Sequence, residues 1–266
     1  MIKIGYGTYG MRDEDVFTAL PRLREMGYEA IELMVTDGWP TAPSELDAAD
    51  RTRLVTLFQE LGFPPPIFLG TAKGDDPLDG FKTACELAND LNFGDDPAVI
   101  CSMPPGHWDW EKSKMEIRDI LLVWADEAAK HNVLLAIEPH IGMAIDTPDK
   151  ADWLMRDANH PHLKLNFDYS HFYLMDIDLQ HSIDLCMPHA AHMHIKDGNM
   201  LEGDQFEFLL PGAGDMDLNV FCNAIDATGT TLPVVVEVSG MVWNAPGYNA
   251  WEAAEASFKA MDDARS

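Results

Sequence analysis

Short apolar runs alternate with longer amphipathic segments eight times along this 266-residue chain, and that alternation restricts the fold more than any other feature. The apolar runs cover residues 2–6, 30–33, 67–69, 98–101, 134–137, 163–167, 192–195 and 234–238. Each is bounded by Gly, Pro, Asn or Asp and is mostly free of charge, as expected of a parallel strand buried on both faces. Helical periodicity occupies the stretches near 13–26, 46–61, 77–91, 113–131, 148–158, 178–187, 217–228 and 250–264. In the fourth of these, Met115, Ile117, Leu121, Leu122, Ala125, Ala128 and Ala129 follow i, i+3, i+4 spacing. Asp146-Thr147-Pro148 reads as a helix start, and Gly27, Gly62 and Gly229 read as stops. Strand–helix alternation forces parallel pairing with right-handed crossovers, and eight such units close a (β/α)8 TIM barrel of about 250 residues. The α/β expectation is therefore one barrel domain over residues 1–266, with an open doubly wound sheet as the alternative.

Charge narrows the function. The chain has 18 Lys and Arg against 45 Asp and Glu, a formal charge of −27. Binding to phosphate backbones or anionic lipid relies on basic side chains, so neither nucleic acid nor a membrane is an expected partner. The longest apolar stretches are too short to span a bilayer, and the N-terminus carries no signal-peptide pattern. Four widely spaced cysteines without a CxxC pair read as reduced thiols, which gives a cytoplasmic expectation.

The chemistry concentrates at the ends of the last four strands. Glu138 ends the fifth in Leu-Leu-Ala-Ile-Glu-Pro-His, and Asp168 ends the sixth in Leu-Asn-Phe-Asp-Tyr-Ser-His. His194 ends the seventh in His-Met-His-Ile-Lys-Asp, and Glu237 ends the eighth in Val-Val-Val-Glu-Val. An unpaired charge buried at such a place costs several kcal/mol. Adjacent strands lie ~4.8 Å apart, so four consecutive ends can surround one point. Three carboxylates and an imidazole suit Mn²⁺, Mg²⁺ or a related divalent ion, and the oxygen-rich set argues against a structural zinc. Strand capping or pairing with basic side chains is the competing explanation, but Lys196 is the one basic residue within these motifs. His192 shares a strand face with His194, so spacing alone does not choose between them.

These motifs resemble the xylose-isomerase-like TIM-barrel superfamily, the sugar phosphate isomerase/epimerase family. The likeness runs from Gly-Tyr-Glu-Ala-Ile-Glu-Leu at 27–33 to Val-Glu-Val at 236–238. It implies one divalent metal held by Glu138, Asp168, His194 and Glu237, and it selects His194 over His192. It also implies that His171, in Asp168-x-x-His171, reaches substrate or a further metal. Mn²⁺ is the first expectation, with Mg²⁺, Co²⁺ or Zn²⁺ as alternatives. Two departures matter. Ketose 3-epimerases carry a further Glu where this chain has Ala144, and the extra zinc ligands of the endonuclease IV branch are missing at Leu69-Gly70-Thr71 and Met103.

Other residues carry weaker signals. His140 is a candidate general acid or base, because an ordinary histidine pKa near ~6.5 suits proton transfer at neutral pH. Glu32, ending the second strand, could bond a substrate hydroxyl or orient a ligand. His107, Trp108 and Trp110 lie on a long loop of the catalytic face, where aromatics either stack on sugars or anchor the loop. Lys196 either neutralises an oxyanion or pairs with Asp197, and the pairing is the preferred reading. The stretch 210–217, with its Gly-x-Gly-x-x-Asp, reads equally as a substrate-approaching backbone or as a turn and helix cap.

The expected activity is metal-dependent isomerisation or epimerisation of a ketose or related polyol ketone through an enediolate. Glu138 and Glu237 transfer the proton, with His140 and His171 assisting; Glu32, His107, Trp108 and Lys196 contact substrate. The alternative is a lyase or dehydratase on a keto-sugar, inosose or keto-glycoside, since Ala144 and His140 favour elimination. Beyond a small carbohydrate, the expected partners are a second copy of the chain or, by resemblance to C-glycoside-cleaving enzymes, a smaller subunit.

Overall fold

Each apolar run becomes a strand whose two faces meet different surroundings. The computed structural model describes residues 1–72, 74, 76–104, 106 and 108–266. Its strands are β1 Ile4–Gly7, β2 Ala30–Met34, β3 Ile67–Leu69, β4 Ala98–Ser102, β5 Val133–Ile137, β6 Leu163–Asp168 and β7 Ala190–Ile195, then β8 Asp197–Met200, β9 Phe206–Leu209 and β10 Val234–Val236. β1 to β7 and β10 form a closed parallel barrel, in which β10 pairs with β7 on one side and β1 on the other. The fold is the single-domain TIM barrel that the alternation predicts.

Parity along the strands sorts the side chains. Ile4, Tyr6, Ile31, Leu33, Ile100, Leu135, Ile137, Leu165, Phe167, Met193, Ile195, Val234 and Val236 join one apolar cluster with the surrounding helices. Glu32, Asn166, Asp168, His192 and His194, on the alternate positions, are buried but polar. A register shift between Leu165 and Asn166 sets Asn166 opposite His192 and Asp168 opposite His194. This irregularity lines up the polar ends of β6 and β7.

The helices are α1 Val16–Met26, α2 Ala48–Leu61, α3 Pro77–Leu91, α4 Trp110–Lys130, α5 Pro148–Ala158, α6 Tyr169–Tyr173, α7 Leu179–Cys186, α8 Leu218–Ala227, α9 Gly240–Trp243 and α10 Ala250–Ala264. Part of the acidic excess sits where helices welcome it. Asp15, Asp47, Asp76, Asp178 and Asp217 each accept a backbone N–H at a helix start. Thr147 caps α5 with Pro148 in its first turn, and Gly27 closes α1 at φ 111°.

The structure differs from the sequence expectation in two places that bear on the site. The 198–216 connection is not plain loop: β8 and β9 pair antiparallel as a hairpin. The fourth long helix begins at Trp110 rather than near 113, so Trp110 is helical and meets Trp153 edge-on at 5.3 Å. No helix among the described residues is long and apolar enough to cross a membrane. All four cysteines are free and buried.

Candidate active site

Glu138, Asp168, His194 and Glu237 converge at the C-terminal end of the barrel, and one donor atom from each lies within 4.8 Å of the others. Their strands place them there directly: Asp168 ends β6, His194 sits in β7, and Glu138 and Glu237 follow β5 and β10 by one residue. Lys196, two residues past His194, continues the same inward face. Its Nζ contacts Asp168 Oδ2 and Glu237 Oε2 and lies 3.7 Å from Glu138 Oε1. Burial alone would push all three carboxyl groups up. The Lys196 charge and the neighbouring His171 and His194 together outweigh it and hold Glu138, Asp168 and Glu237 below the ordinary carboxylate range.

Lys196 therefore does not pair with Asp197. Neighbouring strand residues point to opposite faces, so the two side chains diverge. The Asp197 carboxylate instead accepts backbone N–H bonds from Gly198, Gly212, Gly214 and Met216 at 2.8–3.1 Å. Within the Gly-x-Gly-x-x-Asp stretch, Gly212 has φ 81° and a Cβ there would stand 2.8 Å from Ala260 Cβ, whereas Gly214 is required by this ring of donors. A Cβ on Gly214 would lie 2.4 Å from Asp197 Oδ1.

A second polar layer lies beneath the first. His194 Nε2 is 2.8 Å from Glu32 Oε1, while Nδ1 lies 3.0 Å from Glu138 Oε1 and 3.4 Å from Glu237 Oε2. His192 Nε2 lies 3.0 Å from the same Glu32 oxygen. Burial opposes the charge on Glu32, but His194 and His192 outweigh it and bring the carboxyl to about 2. Burial likewise opposes a charged His194, and Glu32 and Glu237 hold its pKa well above the ordinary value. Glu32 can sit this close because β1 offers Gly7, where a Cβ would stand 3.0 Å from Glu32 Oε2. Glu32 is fully buried, pairs with His192 and His194 and does not line the cavity, so the structure does not place it against substrate as the sequence reading expected.

Above the carboxylates opens a cavity of about 460 Å³, lined in part by Tyr9, Glu138, His140, Lys196, Phe208 and Glu237. His140 Nδ1 lies 2.7 Å from Ile141 O, so the N–H tautomer there leaves Nε2 free. Burial, and then the neighbouring His171, pushes the His140 pKa down. His171 packs against His140 with ring centres 3.9 Å apart and planes tilted by 42°, and it meets Phe208 edge-on at 5.0 Å. It is fully buried, neither ring nitrogen is hydrogen-bonded, and it does not line the cavity, so the structure does not bring it to substrate directly. Its Nε2 lies 3.7 Å from Glu138 Oε2 and 3.5 Å from Asp168 Oδ2, and Glu138, His140 and His171 form a second group able to hold an ion. Trp108 is also absent from the cavity wall. It is 39% exposed and lines a neighbouring apolar cleft with Leu78, Met103 and Trp124. His107 lies outside the described residues.

The profile of the xylose isomerase-like TIM barrel matches residues 20–263. The chain belongs to this family. It is 26% identical over 126 residues to an inosose dehydratase of Geobacillus thermodenitrificans, a stretch covering 42% of each chain. The match thus spans less than half the length of that curated relative. The structure of an IolI protein with a bound zinc atom superimposes with a TM-score of 0.78 at 20% identity, covering 100% of this chain and 98% of that one. A 3-keto-D-glucoside 4-epimerase from E. coli gives 0.76 at 16% identity, covering 99% and 100%. Relatives in the family are enzymes, both dehydratases and epimerases.

Several residues of this family member's site carry no local signature. Asn166 donates to Glu138 Oε1 at 3.1 Å and lies 2.9 Å from His194 Nδ1. Its parity with Asp168 was the available signal. Phe208 arrives on the hairpin. Tyr9, Trp39 and Trp243 come from three separate segments and pack with ring centres 5.4–5.7 Å apart beside the cavity.

Proposed function

We propose that this protein is a divalent-metal-dependent isomerase or epimerase of a ketose or related polyol ketone. The observation that carries the reading is the placement of Glu138 and Glu237, which both line the cavity and both reach the centre shared with Asp168 and His194. The residues fit a metal: three buried carboxylates face a single ammonium, and the oxygen-rich donor set with one imidazole suits a hard or borderline ion. Glu138, Asp168, His194 and Glu237 would hold it. When bound, the ion supplies a Lewis acid that polarises a substrate carbonyl and so acidifies the adjacent C–H.

The chain's own groups do the rest. Glu237 takes the proton from one side; for isomerisation it returns that same proton to the neighbouring carbon, and for epimerisation Glu138, having taken up a proton on substrate binding, delivers it from the other side. His140 Nε2, free of intramolecular bonds, passes a proton between substrate oxygens. Tyr9 and Phe208 wall the cavity and limit water around the enediolate.

A second reading, a dehydratase or lyase on a keto-sugar, inosose or keto-glycoside, is favoured by the close His140–His171 pair beside Glu138. The similarity to an inosose dehydratase supports it. In that case the proton removed from carbon passes to His140 Nε2, the bond to the group β to the carbonyl breaks, and His140 hands that proton to the departing oxygen.

The test is an NMR time course in D₂O with Mn²⁺-loaded and demetallated protein over ketoses, inososes and keto-glycosides. Deuterium entering beside the carbonyl with all substituents retained supports the isomerase reading. Loss of water or a glycosyl group moves the protein to the second reading. Equal rates with and without metal overturn both.

A further inference from the structure

We propose that Lys196 is a displaceable internal cation: it occupies the carboxylate cluster when no metal is there, and metal binding expels it into the cavity, where its ammonium meets a substrate oxygen. This rests on the metal-dependent reading above and adds a role for a residue outside the ligand set.

The geometry points to it in three ways. Lys196 is 3% exposed, and its Nζ touches Asp168 and Glu237 with Glu138 at 3.7 Å. It thus sits among the oxygens that would hold an ion, and two cations at one point exclude each other by Coulomb repulsion in a poorly solvated site. The ammonium stabilises the empty cluster, because without it three buried carboxylates would share His194, itself already paired with Glu32, as their nearest counter-charge. There is also somewhere to go. Lys196 lines the cavity of about 460 Å³ together with Phe208, whose ring centre already lies 5.4 Å from Nζ, within cation–π range, on the side toward that space. Lys196 is the sole Lys or Arg among the described residues of that wall. The four-carbon stem lets the head move while its backbone stays fixed by Ser170, whose Oγ accepts from Lys196 N at 2.7 Å and donates to Lys196 O at 2.9 Å.

The experiment compares wild type with Lys196→Met by titration calorimetry with MnCl₂ and by melting with and without Mn²⁺. The expected result is about tenfold or tighter Mn²⁺ binding in the variant, a lower melting temperature for its metal-free form, and melting temperatures that converge once both are loaded. Unchanged affinity, or an equal loss of stability in loaded and metal-free forms, overturns the proposal and leaves the metal reading standing. Failure of the wild type to bind Mn²⁺ overturns both. A second measurement covers a variant that does not fold. Wild-type Lys196 is acetylated with an N-hydroxysuccinimide ester and followed by peptide mass spectrometry. Acetylation should speed up about tenfold or more on Mn²⁺ loading, and equal rates overturn the proposal.

Discussion

The Nε2 atom of His194 lies 2.8 Å from Glu32 Oε1, on the far side of the imidazole from Glu138 and Glu237. An N–H donated to Glu32 keeps a proton on Nε2, so Nδ1, which carries the second proton in the metal-free cluster, is the nitrogen that would face a bound ion after losing it; a carboxylate behind a histidine in this way raises its basicity as a ligand. Glu32→Gln should therefore weaken divalent-metal binding by about 10–100-fold while the barrel stays folded. Calorimetric Mn²⁺ titration checks this, and wild-type affinity in the variant would remove Glu32 from that role.

The same contact shapes the acid limb of stability in the metal-free protein. The Glu32 carboxyl is lowered from 4.5 to about 2 in the fold. A depressed carboxyl contributes stability that is complete above its unfolded value and drains away as pH falls toward its folded value. Glu32→Gln should then show a shallower loss of urea midpoint between about pH 5 and pH 3 than wild type. Parallel curves would refute the assignment.

Proton transfer makes a kinetic prediction that separates the two reactions. Glu237→Gln should abolish turnover in either case. His140→Gln should cost about 10²–10⁴ in kcat if the protein eliminates a leaving group, and about tenfold or less if it only epimerises or isomerises. Steady-state rates on whichever substrate the D₂O screen identifies decide between them.

Thiol chemistry should be silent in the native state. Burial pushes Cys85 and Cys186 up to about 12 and Cys222 to about 11, and Cys101 well above its usual value. A thiol at about 11 is ionised in roughly one molecule in 1,000 at pH 8. Labelling by a disulfide reagent at that pH should be about 100-fold or more slower in buffer than in denaturant, where all four cysteines react. Rapid native labelling of any one would show that its surroundings open.

Asp197 should matter for stability. Replacing it with Ala strands four backbone donors, three of them in the loop after β9. The expected cost is about 3 kcal/mol or more, measured by urea denaturation. A change below about 1 kcal/mol would mean that water replaces the carboxylate.

The barrel was legible because strands buried on both faces need uninterrupted apolar runs, and eight such runs have few ways to pair. The four converging strand ends were legible for a related reason: Glu138, Asp168, His194 and Glu237 interrupt hydrophobic sequence where an unpaired charge is costly. Lys196 was misjudged because its sequence neighbour Asp197 offered an easy partner, although period-two parity with His192 and His194 already assigned it to their face. The β8–β9 hairpin was missed for a different reason. Gly198 and Asn199 read as loop, and the alternation of Phe206 and Phe208 is only four residues long. The Tyr9–Trp39–Trp243 group had no local pattern to read, since tertiary folding alone brings its members together.

The ring of N–H groups around Asp197 has a consequence for how this enzyme family can change. One carboxylate grips the chain at Gly198, where the excursion leaves the barrel, and again at Gly212 to Met216, where it returns. With both ends clasped, the segment between behaves as a cassette: its length and tip can be exchanged without disturbing the barrel mouth. Phe208 travels with that cassette into the cavity wall. Swapping it between relatives should carry substrate preference from one to another while the proton-transfer machinery stays in place.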